Sequence, residues 1–592
     1  MPPDPPLDPE SGRAEALLRV GRLSNAAGLA RDIAARTMPG SIRRRALIVL
    51  VESSRRGHAL DPDDVAQLEA SAEELDCPSG ERAQALAMAT LARCHLCDRE
   101  RAVDLGQRAL VEAERGRDEV GRCLARATLG KALQRDPQRW AEGEQLLRDA
   151  VDYARISDHP LVHFADAFIS YAAVLAARGQ VARAFEHHGE QLHHAERLGL
   201  LPVQVTCLGL LAFNLVARGR WDKAPGAVDA WWDLAAAHDI HSETPIISVN
   251  ATRLPLGRGE FDEAALWLQR ADQLTDTQNV HETYRASLAN ERALLLEATQ
   301  NAPSALAHLK AVRGTLRQGS ACDMRMAVTL VRLATAAGDS ATARAVTASV
   351  EKEAEQFASR NGDLTLTARV CRALVGGPVD DALAAFRRLD PERVRNRIDL
   401  HLHQETLGQL LAEAGRRDEA VELLNDATDA WERIGATFFA ARTLARLRAL
   451  GQRRGVRGTR DRPATGWQSL TPTEREISEL VADDLTYRQI GERLYISKRT
   501  VETHIGHIFC KLGVKGRREI SALARSTAES RSTATQARRE RWRSETAANG
   551  SRRDPDRAPA NGSKSAPPAT GPGEEVAGEA ATTSSDPRIP AL

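Results

Sequence analysis

The sequence predicts an all-α protein: a long solenoid of helical hairpins, then a small C-terminal four-helix domain carrying a helix-turn-helix. Three observations predict it. A turn residue followed five positions later by alanine recurs at a period of about 40 residues. The stretch Leu470 to Ala524 holds capped helices with narrow apolar stripes. Composition is 42% hydrophobic but only 4% aromatic, which suits alanine- and leucine-rich hairpins and not strands.

The opening residues, MPPDPPLDPESGR, are proline-rich and acidic, and positions 1–12 read as disordered. They lack the basic and apolar regions of a signal peptide. No run of eighteen apolar residues marks a transmembrane helix. A cytoplasmic protein with no membrane partner is the expectation.

The repeat region runs over 13–450. Gly179 pairs with Ala184, Gly219 with Ala224, Gly259 with Ala264, Gly338 with Ala343, Gly377 with Ala382 and Gly415 with Ala420; a degenerate copy joins Gln300 to Ala305. Successive turns lie 40, 40, 41, 38, 39 and 38 residues apart. Weaker copies extend backward through Asp136/Ala141, Cys97/Ala102, Asp61/Ala66 and Gly21/Ala26. Each unit reads helix, tight turn, helix. Glycine ends the first helix, and alanine opens the contact face of the second. One hairpin cannot bury its apolar face alone, so neighbours must stack. The pattern resembles tetratricopeptide repeats, although a period near 40 exceeds their usual length of about 34. HEAT-type hairpins share the longer period, but the G-x-x-x-x-A turn favours the tetratricopeptide-like reading.

Catalytic and metal chemistry leave no pattern. Gly130-Lys131-Ala132 lacks the glycine spacing and the hydroxyl of a phosphate-binding loop. Cys94-His95-Leu96-Cys97 is a lone C-x-x-C without the second pair a structural zinc site needs. His187, His188, His193 and His194 include no pair four apart, so they read as a solvated face. Trp221, Trp231, Trp232 and Trp267 read as hairpin-interface filling. No cofactor, no metal and no enzyme are expected.

Segment 451–468 is a linker rich in glycine, with Arg453, Arg454, Arg457, Arg460 and Arg462 against the single acid Asp461. It reads as a flexible tether that could add phosphate affinity. The domain over 469–526 follows. Thr471 and Glu474 form a capping box with Pro472 at the first helical position. Thr486 and Gln489 form a second box, Ser497 caps the third helix, and Gly513 ends it. Val501, Ile505, Ile508 and Leu512 share one face of that third helix. A fourth helix from about Arg517 turns Ile520, Leu523 and Ala524 inward. From Tyr487 to Arg518 there are eight Lys/Arg against two acids. Positions 527–592, rich in Ser, Thr, Ala, Pro, Gly and charge, read as a disordered tail.

The runs LTPTERE, TYRQIGERL, ISKRTVETH and KLGVKGRRE resemble the LuxR-type, or GerE-type, DNA-binding domain. The resemblance implies a recognition helix in the major groove of double-stranded DNA and a homodimer on paired half-sites. It implies that Glu502, Thr503 and Gly506 face the bases, while Arg488, Lys498, Arg499, Thr500 and Lys511 lie at or near positions that hold the phosphate backbone. His504 matches a frequent family histidine, with packing at least as good a role as DNA contact. Asp484 stands where the family has glycine, and Gly516 where it has Ser or Thr. The whole plan is similar to large ATP-binding LuxR-type regulators of the maltose-regulator kind, without the ATPase module. The expected function is a sequence-specific transcription regulator whose solenoid senses a ligand or docks a partner protein. The alternative is a protein-interaction scaffold that the helix-turn-helix localises to DNA.

Overall fold

The computed structural model describes residues 8–57, 60–134, 136–238, 240, 244–275, 282–316, 322–357, 362–452, 466–470, 472–494 and 498–526. These residues form helices and no strands, in a helical-hairpin solenoid followed by a small helical domain. The basic run Arg453–Arg462 and the tail 527–592 lie outside the described residues. The first helix, Pro9–Arg19, starts ahead of the expected boundary at 13, because Asp8 caps it by accepting Ser11 N–H at 3.2 Å.

The recurring turn is a left-handed C-cap. Gly179, Gly219, Gly259, Gly338 and Gly415 have φ between 72° and 83°. In each, the glycine N–H bonds three residues back and the next N–H bonds five back, as in Gly415 to Ala412 O at 3.1 Å and Arg416 to Leu411 O at 2.9 Å. Both orphan carbonyls of the helix end are thereby satisfied. The alanine five positions on is sealed: Ala184, Ala224, Ala264, Ala305, Ala343, Ala382 and Ala420 are all 3% exposed or less.

Three repeat positions differ from the sequence pattern. The left-handed residue of the sixth turn is Gly376 (φ 94°), not Gly377. Ala66 and Ala141 are exposed. Pro62 begins its helix directly after the cap Asp61, so Val65 takes the core place at 0%. A turn over 137–139 delays the next helix to Trp140, and Gly143 and Glu144 are buried there instead. Cys97 serves as a non-glycine turn at φ 60°.

The solenoid curls until distant hairpins touch. Arg218 donates to Val394 O at 3.2 Å, and Thr437 Oγ1 donates to Arg258 O at 3.0 Å. The Phe261 and Phe438 rings meet edge-on at 5.1 Å. A Cβ on Gly257 would strike Trp221 at 2.4 Å and Phe439 at 3.1 Å, so glycine is required at that crossing. Buried Trp231 stacks on Trp267 at 6.4 Å, filling a hairpin interface.

The span Pro160–Ala177 is apolar enough for a bilayer by composition, with a mean hydropathy of 1.5. It is two helices, Pro160–Phe164 and Ala167–Ala177, broken at left-handed Asp166 and folded into the core. The buried Asp166 carboxylate sits 3.1 Å from Arg55 and 2.8 Å from Arg56, and these cations hold it down to about 2 against burial. Arg55 and Arg56 also pair with Glu52, which is 0% exposed. Desolvation of four charges is costly, and the network recovers that cost only because every member is paired.

Of the four clustered histidines only His193 is exposed, so the cluster as a whole is not a solvated face. His187 and His188 are 5% and 7% exposed on the helix Val181–Arg197. His194 stacks on His163 at 5.1 Å, and His187 meets Tyr171 at 5.2 Å. His187 and His194 are seven apart, two turns along one face, which a search for pairs four apart passes over. Burial pushes His188 and His194 down to about 4.

Two predictions follow from these features. A folded-state value near 4 lies below the ordinary histidine value, so the unfolded chain binds more protons below about pH 6.5. Stability is therefore unaffected above that pH and lost as pH falls toward 4. Melting temperature should drop between pH 7.5 and 5, and the drop should be shallower in His188→Asn combined with His194→Phe. At the turn, Gly415 has φ 77° and open space around a would-be Cβ. Gly415→Ala should cost about 1 kcal/mol from backbone strain alone, read by urea unfolding.

Candidate nucleic-acid interface

After a single 3₁₀ turn at Trp467–Ser469, helices Pro472–Ala482, Tyr487–Leu494, Lys498–Leu512 and 517–526 build the small domain. Their apolar stripes meet in one core. Leu470, Ile477, Val481, Ile490, Val501, Ile508 and Ile520 are each 0% exposed. Leu523, expected inward, is 39% exposed. Ile520 and Ala524, four apart, share the inward face, and Leu523 falls on its flank. Ser521 closes the seam by donating to Val481 O at 3.1 Å.

The caps explain where the helices begin and end. Thr486 N–H donates to Gln489 Oε1 at 2.9 Å, and Gln489 N–H returns to Thr486 Oγ1 at 3.3 Å, a reciprocal capping box. Asp484 adopts φ 60° where a glycine was the family's choice, and Gly513 ends the third helix at φ 68°. Thr471 and Ser497 lie outside the described residues.

Glu474 does more than a cap requires. It is 3% exposed, and its Oε2 lies 2.6 Å from the Lys511 ammonium. This pair ties the first helix to the end of the third across 37 residues of sequence. His504 and His507 also face Glu474, with one ligand atom from each of the three residues within 4.8 Å of the others. That spacing could suit a cation, but the Lys511 ammonium already meets the carboxylate's charge. The His504 Nδ1 atom is buried without a hydrogen-bond partner among the described residues, so its ring acts as packing on that side.

With the buried face fixed, the outer face of Lys498–Leu512 follows. Val501, Ile505 and Ile508 point into the core, so Glu502 and Gly506 are exposed one turn apart. A Cβ on Gly506 would meet nothing within 4 Å. Packing therefore does not call for glycine here, although glycine inside a helix costs about 1 kcal/mol relative to alanine. Arg488 is exposed on the second helix. The backbone of Lys498, Arg499, Thr500 and Thr503 begins the third helix, while their side chains lie outside the described atoms.

Lys511, expected to hold phosphate, has a partner within the domain. It is 31% exposed and committed to Glu474, which makes it a brace inside the domain. Arg517, at the start of the fourth helix, donates to the Leu485 carbonyl and lies over the Tyr487 ring at 5.6 Å. No helical period relates Glu474 to Lys511, so the brace left no trace in the sequence pattern.

Residues 468–524 match the model of a family described as bacterial regulatory proteins, luxR family. The small domain is thus a LuxR-type helix-turn-helix. The chain is 32% identical over 273 residues to the Mycobacterium tuberculosis H37Rv protein named "Putative HTH-type transcriptional regulator Rv0890c", covering 40% of this chain and 29% of that protein. It therefore spans less than a third of the length of that relative. Spore germination protein GerE of Bacillus subtilis 168 is 50% identical over 48 residues, covering 8% of this chain and 65% of GerE. Among solved structures, the APC/C hetero-tetramer Cut9-Hcn1 aligns over 74% of this chain and 86% of that one, at 12% identity and a TM-score of 0.35.

Removing the brace should be felt in stability before binding. Lys511→Ala leaves a buried carboxylate with less compensation, and should cost the domain about 1–3 kcal/mol in urea unfolding. Phosphate affinity should change little once the domain is folded.

Proposed function

We propose that this protein is a sequence-specific, DNA-binding transcription regulator that acts as a dimer, with the solenoid sensing a small ligand or docking a partner protein. The observation that carries the reading is the third helix of the small domain. Its buried stripe, Val501, Ile505 and Ile508, fixes its rotation, so Glu502 and Gly506 stand outward on the helix that a helix-turn-helix places in the major groove. Glu502 can accept from a cytosine amino group, and Thr503 can touch a thymine methyl. Glycine at 506 lets the helix approach the base edges closely.

Arg488, Lys498, Arg499 and Thr500 are assigned to the phosphate backbone, where they supply affinity and steering without sequence information. Lys511 is removed from that set. The helix 517–526, with Leu523 exposed, is assigned to the dimer contact, which sets half-sites about 10 bp apart. We divide the chain accordingly into the repeat region to about 450, a linker, the helix-turn-helix and a tail. On this reading the protein acts where bacterial DNA is, in the cytoplasm, and needs no catalytic centre.

A scaffold localised to DNA by the same domain differs in one measurable respect, the sequence preference. In a selection from random duplexes with the full-length chain, a defined, two-fold-related motif is expected. Thr503→Ala should change which bases are preferred at its position, by less than the ~1–3 kcal/mol of a bidentate side-chain–base pair. Lys498→Ala should weaken binding to all sequences alike. Recovery of no motif would leave the scaffold reading in place.

A further inference from the structure

The curled solenoid holds an open cavity of about 1170 Å³, lined mostly by hairpins of its second half and reached by Arg99, Gln134 and Phe213 from the first. Such a volume exceeds what a drug-sized ligand needs. Nine basic and five acidic side chains line it, so its wall carries an excess of positive charge. Most of these charges are matched to one another. Arg332 holds Glu297 with both guanidinium nitrogens, at 2.7 and 2.5 Å. Arg253 spans Glu291 at 2.7 Å and Asp399 at 2.8 Å. Arg442 and Arg446 share the single carboxylate of Glu405, which leaves that corner one positive charge in surplus.

Arg395 is different. It lies on the loop before the helix Arg397–Glu413, and its guanidinium has no hydrogen-bond or ion-pair partner among the described residues. The two carboxylates within electrostatic reach are otherwise engaged. Asp399 pairs with Arg253, and Asp363 accepts the backbone N–H of Arg395 itself at 3.2 Å. Burial outweighs both acids and holds the Arg395 side chain below the ordinary arginine range. Arg395 is half-buried, so its unpaired guanidinium reaches the cavity and is placed to meet an anion there. Leu366, Val394 and Leu400 line the same cavity and belong to one apolar cluster. A cationic fork thus stands beside an apolar wall.

We infer that the solenoid cavity binds an organic oxyanion, a carboxylate or phosphate head on an apolar body, with Arg395 as its bidentate anchor. A planar guanidinium matches either head group with two parallel hydrogen bonds. The inference rests on the sensing role proposed for the solenoid and gives that role a ligand chemistry.

Calorimetric titration of the full-length chain tests it with hexanoate, hexyl phosphate and hexanol as probes. At least one of the two anions is expected to bind, with their relative affinity deciding which head group is preferred, and hexanol is expected not to. Arg395→Gln should weaken the bound anion by roughly tenfold or more. In oxyanion-free buffer the same variant should melt close to the wild type, because the half-buried guanidinium holds no partner among the described residues for the fold to lose. Binding of neither anion, equal binding of hexanol, unchanged affinity in R395Q, or a variant melting well below wild type would each overturn the assignment. Neither readout uses DNA, so failure here leaves the DNA-binding reading standing.

Discussion

A hairpin of two antiparallel helices requires the chain to reverse in a residue or two without stranding its peptide groups, and the repeat region meets this requirement the same way in most of its turns. A left-handed residue ends one helix and returns two N–H groups to the helix's last carbonyls. Five residues later an alanine with almost no exposed surface lets the second helix close on the first. The curl depends on these turns. The curl in turn brings Arg218 against Val394 and Phe261 against Phe438, and it forms the open cavity that Arg395 lines. A larger residue at Ala264 or Ala420, each 0% exposed, would pry apart a hairpin and everything stacked on it.

The turns were legible in the sequence because they rely on residue types with few substitutes: glycine for its left-handed backbone and alanine for its size. Where another residue takes the role, the pattern blurs. Cys97 turns at φ 60°, and Val65 replaces the marked Ala66 in the core. The curl was not legible. Arg218 and Val394 are 176 residues apart, and no periodicity records such a contact. The histidines were misread for a different reason. His187 and His194 lie on one face at two turns' spacing, and their neighbours Phe168 and Tyr171 come from a separate helix.

In the C-terminal domain, caps and stripes gave the helices and the rotation of the third, since core side chains must face inward. They did not give the allocation of charge. Lys511 reads as phosphate-facing and Arg517 as part of the same basic excess between Tyr487 and Arg518, yet Lys511 pairs with buried Glu474 and Arg517 donates to the Leu485 carbonyl. A cation's partner depends on tertiary neighbours, and only the fold supplies those. On the proposed reading, the residues toward the bases, Glu502, Thr503 and Gly506, include no long cation for guanine. Base discrimination at those positions should therefore be modest beside the electrostatic contribution.

On the proposed reading, a rigidly rotated third helix reads sequence while a small group of cations holds the backbone. Equilibrium binding of the full-length chain to a selected duplex and to a scrambled one, across a series of salt concentrations, tests it most directly. Affinity for both should fall linearly on logarithmic axes, at roughly 0.9 per phosphate neutralised, with the selected duplex bound more tightly throughout. Equal affinity for the two duplexes, or binding indifferent to salt, would contradict it.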